Sequence, residues 1–300
     1  MSKVIVVFGA TGAQGGSVAR ALLCDPQYKV RAVTRDPNSP AAGALAAQGA
    51  EVVCAEYGNK ESLARALEGA YGCFVVTKSQ FGVPNFEEIE VKQGENIADV
   101  CAVLRVQHVV FSLKPHVRKV IGIVSRHCDA KARIEDYMNE LNLPLTSVIV
   151  PFTFENFLGT FKPRTVDFQR TRLEIPMGEI PLDAMSVDQL GDCVKTIFNN
   201  PSVYISKTLA LSADKLTIRE YAATLSRYSR PYIVRDAQLT TDDFRRIERE
   251  AAEDYGNMFE FFQRVDQRHN MRVTKALNPQ IKTFDEWVRE NVARIQSALR

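Results

Sequence analysis

The sequence predicts an α/β fold built on a doubly wound parallel sheet. Over the first 150 residues, short runs rich in valine and isoleucine alternate with segments of helical periodicity. Strands buried on both faces have this composition, and strand–helix alternation at this spacing produces right-handed βαβ units. A glycine-rich segment directly after the first apolar run is the second observation that favours this fold.

The first part of the chain contains six predicted strands separated by five predicted helices. The strands are Lys3–Phe8, Lys29–Thr34, Glu51–Cys54, Cys73–Thr77, His108–Ser112 and Thr146–Val150. The helices are Gln14–Cys24, Pro40–Gln48, Lys60–Glu68, Phe86–Leu104 and His127–Leu141. Each run has a length typical of its type, which supports the assignment.

After residue 150 the alternation stops, and prolines appear among aromatic residues. The remaining predicted elements are a strand at Thr208–Leu211 and helices at Val187–Asn199, Ile218–Arg227, Thr241–Ala252, Tyr255–Arg264 and Phe284–Ala298. Thr283 and Glu286 have the spacing of a capping box at the start of the last helix. We therefore expect one domain at residues 1–150 and a smaller, mostly helical α+β lobe at residues 151–300, packed on the C-terminal edge of the sheet.

Composition excludes several classes of function. The 300 residues include 45% hydrophobic and 25% charged residues with a net charge of +2, and no basic stripe with interleaved aromatics, which argues against direct binding of nucleic acid or a membrane surface. No apolar run approaches the ~18 residues of a spanning helix. The six cysteines form no CxxC pair and only four histidines occur, so no metal site is predicted. Most cysteines lie in apolar segments, which predicts buried free thiols in the cytoplasm or nucleus.

The glycine-rich segment predicts a nucleotide site. In Gly9-Ala10-Thr11-Gly12-Ala13-Gln14-Gly15, the first glycine permits a tight turn, the second lets the backbone approach a pyrophosphate, and the third lets helix and strand pack closely. The helix start then offers unpaired N–H groups to the phosphates. This segment therefore indicates a dinucleotide-binding Rossmann domain, and all seven residues are predicted to contact the cofactor.

The end of the second strand favours NADP(H) over NAD. NAD-preferring domains place a carboxylate there to accept a hydrogen bond from the ribose, whereas this chain has Arg35, which would pair with a 2′-phosphate. Asp36 follows and is included in the predicted site, although its charge opposes a phosphate. The alternative is that Arg35 is only a solvated charge at the strand end.

The sequence resembles the NmrA-like family, an atypical branch of the short-chain dehydrogenase/reductase superfamily, and within it the vertebrate redox-sensor members. The matching segments are Val6–Arg20, Val30–Arg35, Gln48–Val53, Glu90–Gly94, His127–Lys131, Pro151–Asn156, Met185–Gly191 and Asn278–Pro279. Three parts of the sequence depart from the family pattern. Asn38, Ser39 and Pro40 stand where relatives have basic residues, Glu56 replaces an aspartate, and Leu113–Arg118 differs from the usual small-residue loop.

The resemblance implies roles for further residues. Glu56 and Tyr57 would border the adenine, and Lys92 and Lys131 would reach the cofactor. The adenosine and nicotinamide ribose side would be lined by Thr77, Lys78, Ser79 and Gln80, and the nicotinamide would be flanked by Thr153, Phe154, Glu155 and Asn156. The resemblance also implies a homodimer with a regulated protein partner. The phenylalanines from Phe152 to Phe161 are nevertheless interpreted mainly as lobe core.

The catalytic pattern of short-chain reductases is incomplete. These enzymes place a Tyr four residues before a Lys, so that both lie on one helix face, and no Tyr-x-x-x-Lys occurs in this chain. The equivalent segment contains His127 and Lys131, and Ser112 ends the fifth predicted strand. His127 has three interpretations: a proton donor replacing the tyrosine, a structural residue facing the pocket, or a surface histidine.

Three functional hypotheses follow. The first is a non-catalytic NADP(H)-binding redox sensor, in which NADPH and NADP+ stabilise different arrangements of the loops near Lys78, Ser112–Arg118 and Thr153–Asn156. The second is an NADPH-dependent reductase of a small aromatic or quinone-like substrate, with Lys131 and His127 as the catalytic pair. The third is a scaffold or dimer module whose nucleotide site has decayed.

Overall fold

The computed structural model describes residues 2–167 and 170–300. The strands are β1 (Lys3–Val7), β2 (Tyr28–Thr34), β3 (Glu51–Cys54), β4 (Gly72–Val75), β5 (His108–Leu113), β6 (Leu145–Ile149), β7 (Phe152–Thr153), β8 (Arg164–Thr165), β9 (Arg170–Leu173), β10 (Leu182–Met185), β11 (Lys207–Ala210), β12 (Asp214–Leu216) and β13 (Ile233–Asp236).

Helices occupy most of the segments between the strands. They are α1 (Ala13–Leu23), α2 (Pro40–Ala47), α3 (Lys60–Leu67), α4 (Phe86–Val103), α5 (Val117–Ile121), α6 (Arg126–Glu140), α7 (Leu190–Asn199), α8 (Pro201–Tyr204), α9 (Ile218–Tyr228), α10 (Thr241–Arg245), α11 (Ala252–Arg264), α12 (Met271–Leu277), α13 (Phe284–Glu290) and α14 (Val292–Leu299). In the part of the chain that is described, no helix is long and apolar enough to cross a membrane.

The main sheet has seven strands in the order β11-β6-β5-β4-β1-β2-β3. All pairs from β6 to β3 are parallel. The chain first builds the sheet outward from β1 through β2 and β3, then returns to build β4, β5 and β6 on the other side. The strand order therefore reverses between β1 and β4, and the carboxyl ends of these strands form the crevice in which doubly wound sheets bind ligands. The predicted fold class is confirmed.

The chain divides into two units at boundaries that differ from the predicted one at residue 150. The first unit contains Met1–His116, Arg126–Ile149 and Val187–Leu209, and the second contains the rest. Residues after 186 return to the first unit because α7 packs on α1 and β11 lies beside β6. The Ser17 hydroxyl donates to the Asp188 carbonyl at 2.8 Å and accepts from the Gly191 amide at 2.9 Å.

The core of the first unit lies between the sheet and its helices. A cluster of fully buried side chains includes Phe8, which directly follows β1, and Leu63, Ile97, Phe111 and Met138 from α3, α4, β5 and α6. The six cysteines are free thiols, and four of them are buried, as predicted for most. Cys24 and Cys54 are exposed because they lie at the end of α1 and at the edge strand β3, where no element covers them.

The second unit contains two three-stranded sheets, β12-β10-β7 and β13-β9-β8, and an aromatic core. Phe157 packs against Phe152, Tyr221 and Phe284 with ring centroids 5.2–5.3 Å apart. Trp287 of α13 is stacked on Phe284 and is also buried in this core. The prediction of a mostly helical C-terminal region is also confirmed, although the short strands β7–β10, β12 and β13 were not predicted.

The helix that carries Gly191 provides a test of this packing. A Cβ at Gly191 would lie 2.1 Å from the Ser17 carbonyl oxygen, so α7 touches the backbone of α1. We expect Gly191→Ala to lower the free energy of unfolding by about 1–3 kcal/mol, because overpacking forces the two helices apart. The measurement is urea denaturation followed by circular dichroism.

Gly43→Ala is the matched control, because Gly43 lies inside α2 with no atom within 4 Å of an added Cβ. This variant should be neutral or stabilising by about 0.4–1 kcal/mol. Equal effects of the two substitutions would show that the contact between α1 and α7 is not close-packed.

Candidate functional site

The turn between β1 and α1 has the geometry that the glycine pattern predicts. Gly9 has a φ of +63°, in the left-handed region that glycine adopts without strain. A Cβ at position 15 would lie 2.3 Å from the Gly9 carbonyl oxygen, so only glycine lets α1 begin this close to the end of β1. The N-cap residue of α1 is Gly12, which offers no side-chain cap.

The first turn of α1 therefore has N–H groups available for a ligand. Among the described residues, none accepts a hydrogen bond from the backbone amides of Ala13, Gln14 or Gly15. These amides lie at the positive end of the helix dipole, beside the carboxyl end of β1. Unpaired amides and a positive dipole end together favour the binding of phosphate groups.

Arg35 directly follows β2, and its side chain is exposed. Within the described residues its guanidinium has no ion-pair partner, so it is available to an anion. The next residues form a helix start instead of a basic cluster. The Asp36 carboxylate accepts from the Asn38 amide at 3.0 Å, and Ser39 is the N-cap of α2, with Pro40 in its first turn. Asp36 thus stabilises the turn that leads into α2.

Tyr57 lies at the carboxyl edge of the sheet, after β3. Its ring meets that of Phe8 edge-on at 5.6 Å, and its hydroxyl lies 3.5 Å from the Val76 carbonyl oxygen. Burial raises the pKa of the Tyr57 hydroxyl well above its ordinary value. The Glu56 side chain is exposed, while its backbone is fixed by two hydrogen bonds with the Ser62 hydroxyl. Tyr57 therefore forms an apolar wall, and Glu56 borders solvent.

A buried carboxylate organises the carboxyl end of β4. Glu90, on α4, is only 1% exposed. It accepts hydrogen bonds from Thr77 Oγ1 and Ser79 Oγ, each at 2.6 Å, and forms an ion pair with Lys131 of α6. Lys131 Nζ also lies 3.4 Å from Ser79 Oγ. The structure thus brings together three of the predicted residues, Thr77, Ser79 and Lys131, around a carboxylate that the sequence analysis did not identify as a site residue.

A signal for Glu90 was present in the sequence. Phe86, Glu90, Gly94 and Ile97 recur at helical spacing, and all four are buried in α4. A glutamate inside such a buried stripe needs a partner, because an unpaired charge is costly to bury. The pattern was missed because glutamate in a helix is usually solvated.

Ser112 lies near the end of β5 and donates to Gln14 Oε1 at 2.7 Å. This hydrogen bond connects the first turn of α1 to the strand beside β4. Lys114 follows β5, and burial lowers its pKa; the nearby charge of Lys131 acts in the same direction. The candidate site therefore contains two lysines near one another, and one of them is neutralised by Glu90.

His127 and Lys131 are one helical turn apart on α6. The His127 ring is 5.6 Å from the Phe81 ring, and Nε2 lies 3.4 Å from the Cys128 sulfur. His127 is buried, so the surface interpretation is wrong. The two other interpretations, a proton donor and a structural residue facing the pocket, stay open.

Other predicted residues lie apart from this cluster. Lys92 forms an ion pair with Glu95 and its side chain is 66% exposed. It is two residues from Glu90, and two residues rotate a helix by about 200°, so the two side chains leave α4 in different directions. Lys78 and Gln80 are exposed, whereas Thr77 and Ser79, which alternate with them, face Glu90.

The segment predicted to flank the nicotinamide belongs to the second unit. Thr153 pairs with Met185 in the sheet, and Glu155 Oε1 accepts from the Ser186 hydroxyl at 2.6 Å. Phe154 is fully buried and packs on Phe284 and Trp287. The ring of Phe154 is therefore core, as interpreted from the sequence. The carbonyl of Asn156 accepts from two backbone amides further along the chain. Cofactor contacts of these four residues stay predictions.

These features define the first unit as a Rossmann-type domain with unpaired backbone amides at the start of α1. The family model described as the NmrA-like family matches residues 1–288. The chain therefore belongs to the NmrA-like family.

Two relatives illustrate the sequence similarity. An NmrA-like family domain-containing protein of Dictyostelium discoideum is 32% identical over 238 residues, which cover 76% of this chain and 78% of the relative. The NmrA-like family domain-containing oxidoreductase FrzB of Cladobotryum sp is 34% identical over 233 residues, covering 70% and 68%.

Solved structures show the same fold. NmrA, a negative transcriptional regulator, is 21% identical in its complex with NAD, with a TM-score of 0.81, and 20% identical in its complex with NADP, with a TM-score of 0.80; each superposition covers 99% of this chain and 97% of that one. Triphenylmethane reductase of Citrobacter sp., complexed with NADP(H), is 19% identical with a TM-score of 0.78, covering 97% and 99%.

The buried ion pair leads to a prediction about stability. Glu90→Gln leaves the Lys131 charge buried without a counter-charge. Lys131→Met leaves the Glu90 carboxylate buried without a counter-charge. We expect each single substitution to lower the free energy of unfolding by about 3–5 kcal/mol. The double variant carries neither charge and should recover most of this loss. Urea denaturation of the four proteins gives the coupling energy.

Glu88→Gln is the control for this cycle. Glu88 of α4 also forms an ion pair with a residue of α6, Arg133, but the Glu88 side chain is 65% exposed. Because exposed ion pairs contribute about 0–1 kcal/mol, this substitution should have little effect. If the double variant lost as much free energy of unfolding as the two single variants together, Glu90 and Lys131 would not be a coupled buried pair.

Proposed function

We propose that this chain is an NADP(H)-binding regulatory protein that responds to the oxidation state of its cofactor. The observation that carries the proposal is that two anion-binding features lie on the same side of the point where the strand order reverses. The first turn of α1 offers amides without acceptors, and Arg35 at the end of β2 has no ion pair among the described residues.

The fit of a dinucleotide is supported by the glycine loop. A pyrophosphate needs backbone amides that no side chain covers, and the capless start of α1 provides them. Arg35 would hold the 2′-phosphate, and Tyr57 would border the adenine. The named complexes of NmrA with NAD and NADP, and of triphenylmethane reductase with NADP(H), support a dinucleotide at this site.

A regulatory role is favoured by the altered catalytic pattern. In short-chain reductases a lysine lowers the pKa of a neighbouring tyrosine that donates the proton. Here the position holds His127, which packs against Phe81, and Lys131 is paired with Glu90. The similarity to NmrA, described as a negative transcriptional regulator, supports the same conclusion.

Sensing would work through differential affinity. A ligand shifts a conformational equilibrium only by the difference in its affinity for the two states. The loops that follow β4 and β5 carry Ser79 and Lys114 and are the segments that would respond to the bound cofactor. The proposal includes a homodimer and a regulated protein partner, which the family resemblance implies, and a location in the cytoplasm or nucleus, which the free cysteines predict.

Calorimetric titration with NADP+, NADPH and NAD+ tests the cofactor site. We expect both forms of NADP to bind, and Arg35→Ala to weaken their binding by about 10- to 100-fold while leaving NAD+ unchanged, because a charge-assisted contact contributes roughly 1.5–3 kcal/mol. Arg65→Ala is the control, because Arg65 is an exposed arginine on α3. If the wild-type protein binds no dinucleotide, the proposal fails and a scaffold role replaces it.

A second candidate function is reduction of a small aromatic or quinone-like substrate by NADPH. It is favoured by the spacing of His127 and Lys131 on α6 and by the position of Ser112 near the end of β5. Relatives named oxidoreductases and a quinone oxidoreductase of the same fold support it.

Oxidation of NADPH in the presence of a quinone panel distinguishes the two candidates. A regulatory protein should show no turnover above background. Sustained turnover that Lys131→Met abolishes, and that the exposed-lysine control Lys207→Met retains, would establish the reductase and displace the regulatory proposal.

A further inference from the structure

The buried Glu90–Lys131 pair lies on the opposite side of the switch point from Arg35. Arg35 follows β2, whereas Glu90 contacts the segment after β4, and Lys131 contacts the same segment through Ser79. The Gln14–Ser112 hydrogen bond links the start of α1 to the β5 end of this half. The pair therefore belongs to the second half of the crevice.

The two halves of a doubly wound sheet each receive one nucleotide of a dinucleotide. This step rests on the proposed function. With the phosphorylated adenosine at Arg35 and the pyrophosphate at α1, the nicotinamide nucleotide is directed toward β4 and β5. It therefore faces the half that contains Glu90 and Lys131.

The two oxidation states of the cofactor differ in charge at this end. The nicotinamide ring carries a positive charge in NADP+ and none in NADPH. Lys131 alone would repel the oxidised ring, and the nearby Lys114 would add to that repulsion. Among the described residues, Glu90 supplies the carboxylate that contacts Lys131, and it is almost fully shielded from water. Charges act more strongly there than at the surface.

We propose that Glu90 sets the relative affinity of the site for NADP+ and NADPH. By neutralising Lys131 it allows the cationic ring to bind, so the oxidised cofactor competes with the reduced one. Glu90 acts through Lys131 and through the electric field at the ring, and is a specificity-determining residue without needing to touch the cofactor.

The test is the ratio of the dissociation constants for NADP+ and NADPH, measured by calorimetry in four proteins. Glu90→Gln leaves one excess positive charge and should raise the ratio on the order of tenfold, in favour of NADPH. Lys131→Met leaves one excess negative charge and should lower the ratio by a similar factor. The double variant removes both charges, so its ratio should return to within about threefold of the wild-type value.

The opposite signs separate charge from structural damage. A merely structural role would weaken both cofactors equally, leave all ratios unchanged and overturn the inference. The double variant keeps the test informative if a single substitution impairs folding. If the ratio of the two dissociation constants in the double variant differs tenfold from the wild-type value, the inference is also overturned.

The control is Glu88→Gln, which removes the exposed carboxylate paired with Arg133 and should keep the wild-type ratio. Binding of neither cofactor to the wild-type protein would refute the proposed function, whereas binding with unchanged ratios refutes this inference alone.

Discussion

The position of α1 depends on two contacts between backbone segments that are too close to leave room for a side chain. At its start, Gly15 meets the carbonyl of Gly9, and in its middle, the carbonyl of Ser17 meets Gly191 of α7. The first contact holds the helix start against the end of β1, and the second prevents the helix from moving away from the sheet. The direction in which the first-turn amides point follows from these contacts. The phosphate site is thus a consequence of packing, and α7 contributes to it although α7 follows β1 by some 180 residues of chain.

The Glu90–Lys131 pair shows why an ionisable group is retained where an apolar pair would pack well. Burying two charges costs more than their attraction usually returns, so such a pair adds little net stability by itself. The pair fixes Thr77 and Ser79 through hydrogen bonds to Glu90, and under the proposed function it would also set the charge of that half of the crevice. His127 lies one helical turn from Lys131 on α6 and packs its imidazole against Phe81.

The sequence predicted the first half of the fold almost completely. Every strand and helix predicted before residue 150 is present with ends within two residues of the prediction, since long apolar runs and helical periodicity give a strong signal; the five-residue helix α5 was not predicted. The second half of the fold was harder to predict from the sequence. The helix predicted at Thr241–Ala252 ends at Arg245. Ala251, directly before α11, has a φ of +59°, which is not a helical conformation, so α10 and α11 are separate helices. Strands of two to four residues carry too few side chains to show an alternation. The buried stripe of α4 contained a signal for Glu90, but the partners of Glu90 could not be predicted, because they come from α6 and from the loop after β4, which only the tertiary structure brings together.

The segment after Arg35 shows how a helix start can restrict ligand recognition. Ser39 accepts a hydrogen bond from the Ala42 amide, and Pro40 fixes the first turn of α2. A lysine or arginine at these positions, as in the family pattern, would remove either the cap or the fixed turn. This chain keeps the helix start, so under the proposed function Arg35 alone would recognise a 2′-phosphate, and Asp36, which stabilises the same turn, lies beside it. Because one arginine opposes one carboxylate, discrimination between NADP(H) and NAD would then rest on geometry, namely the bidentate fit of a guanidinium to a phosphate, and not on the net charge of the segment.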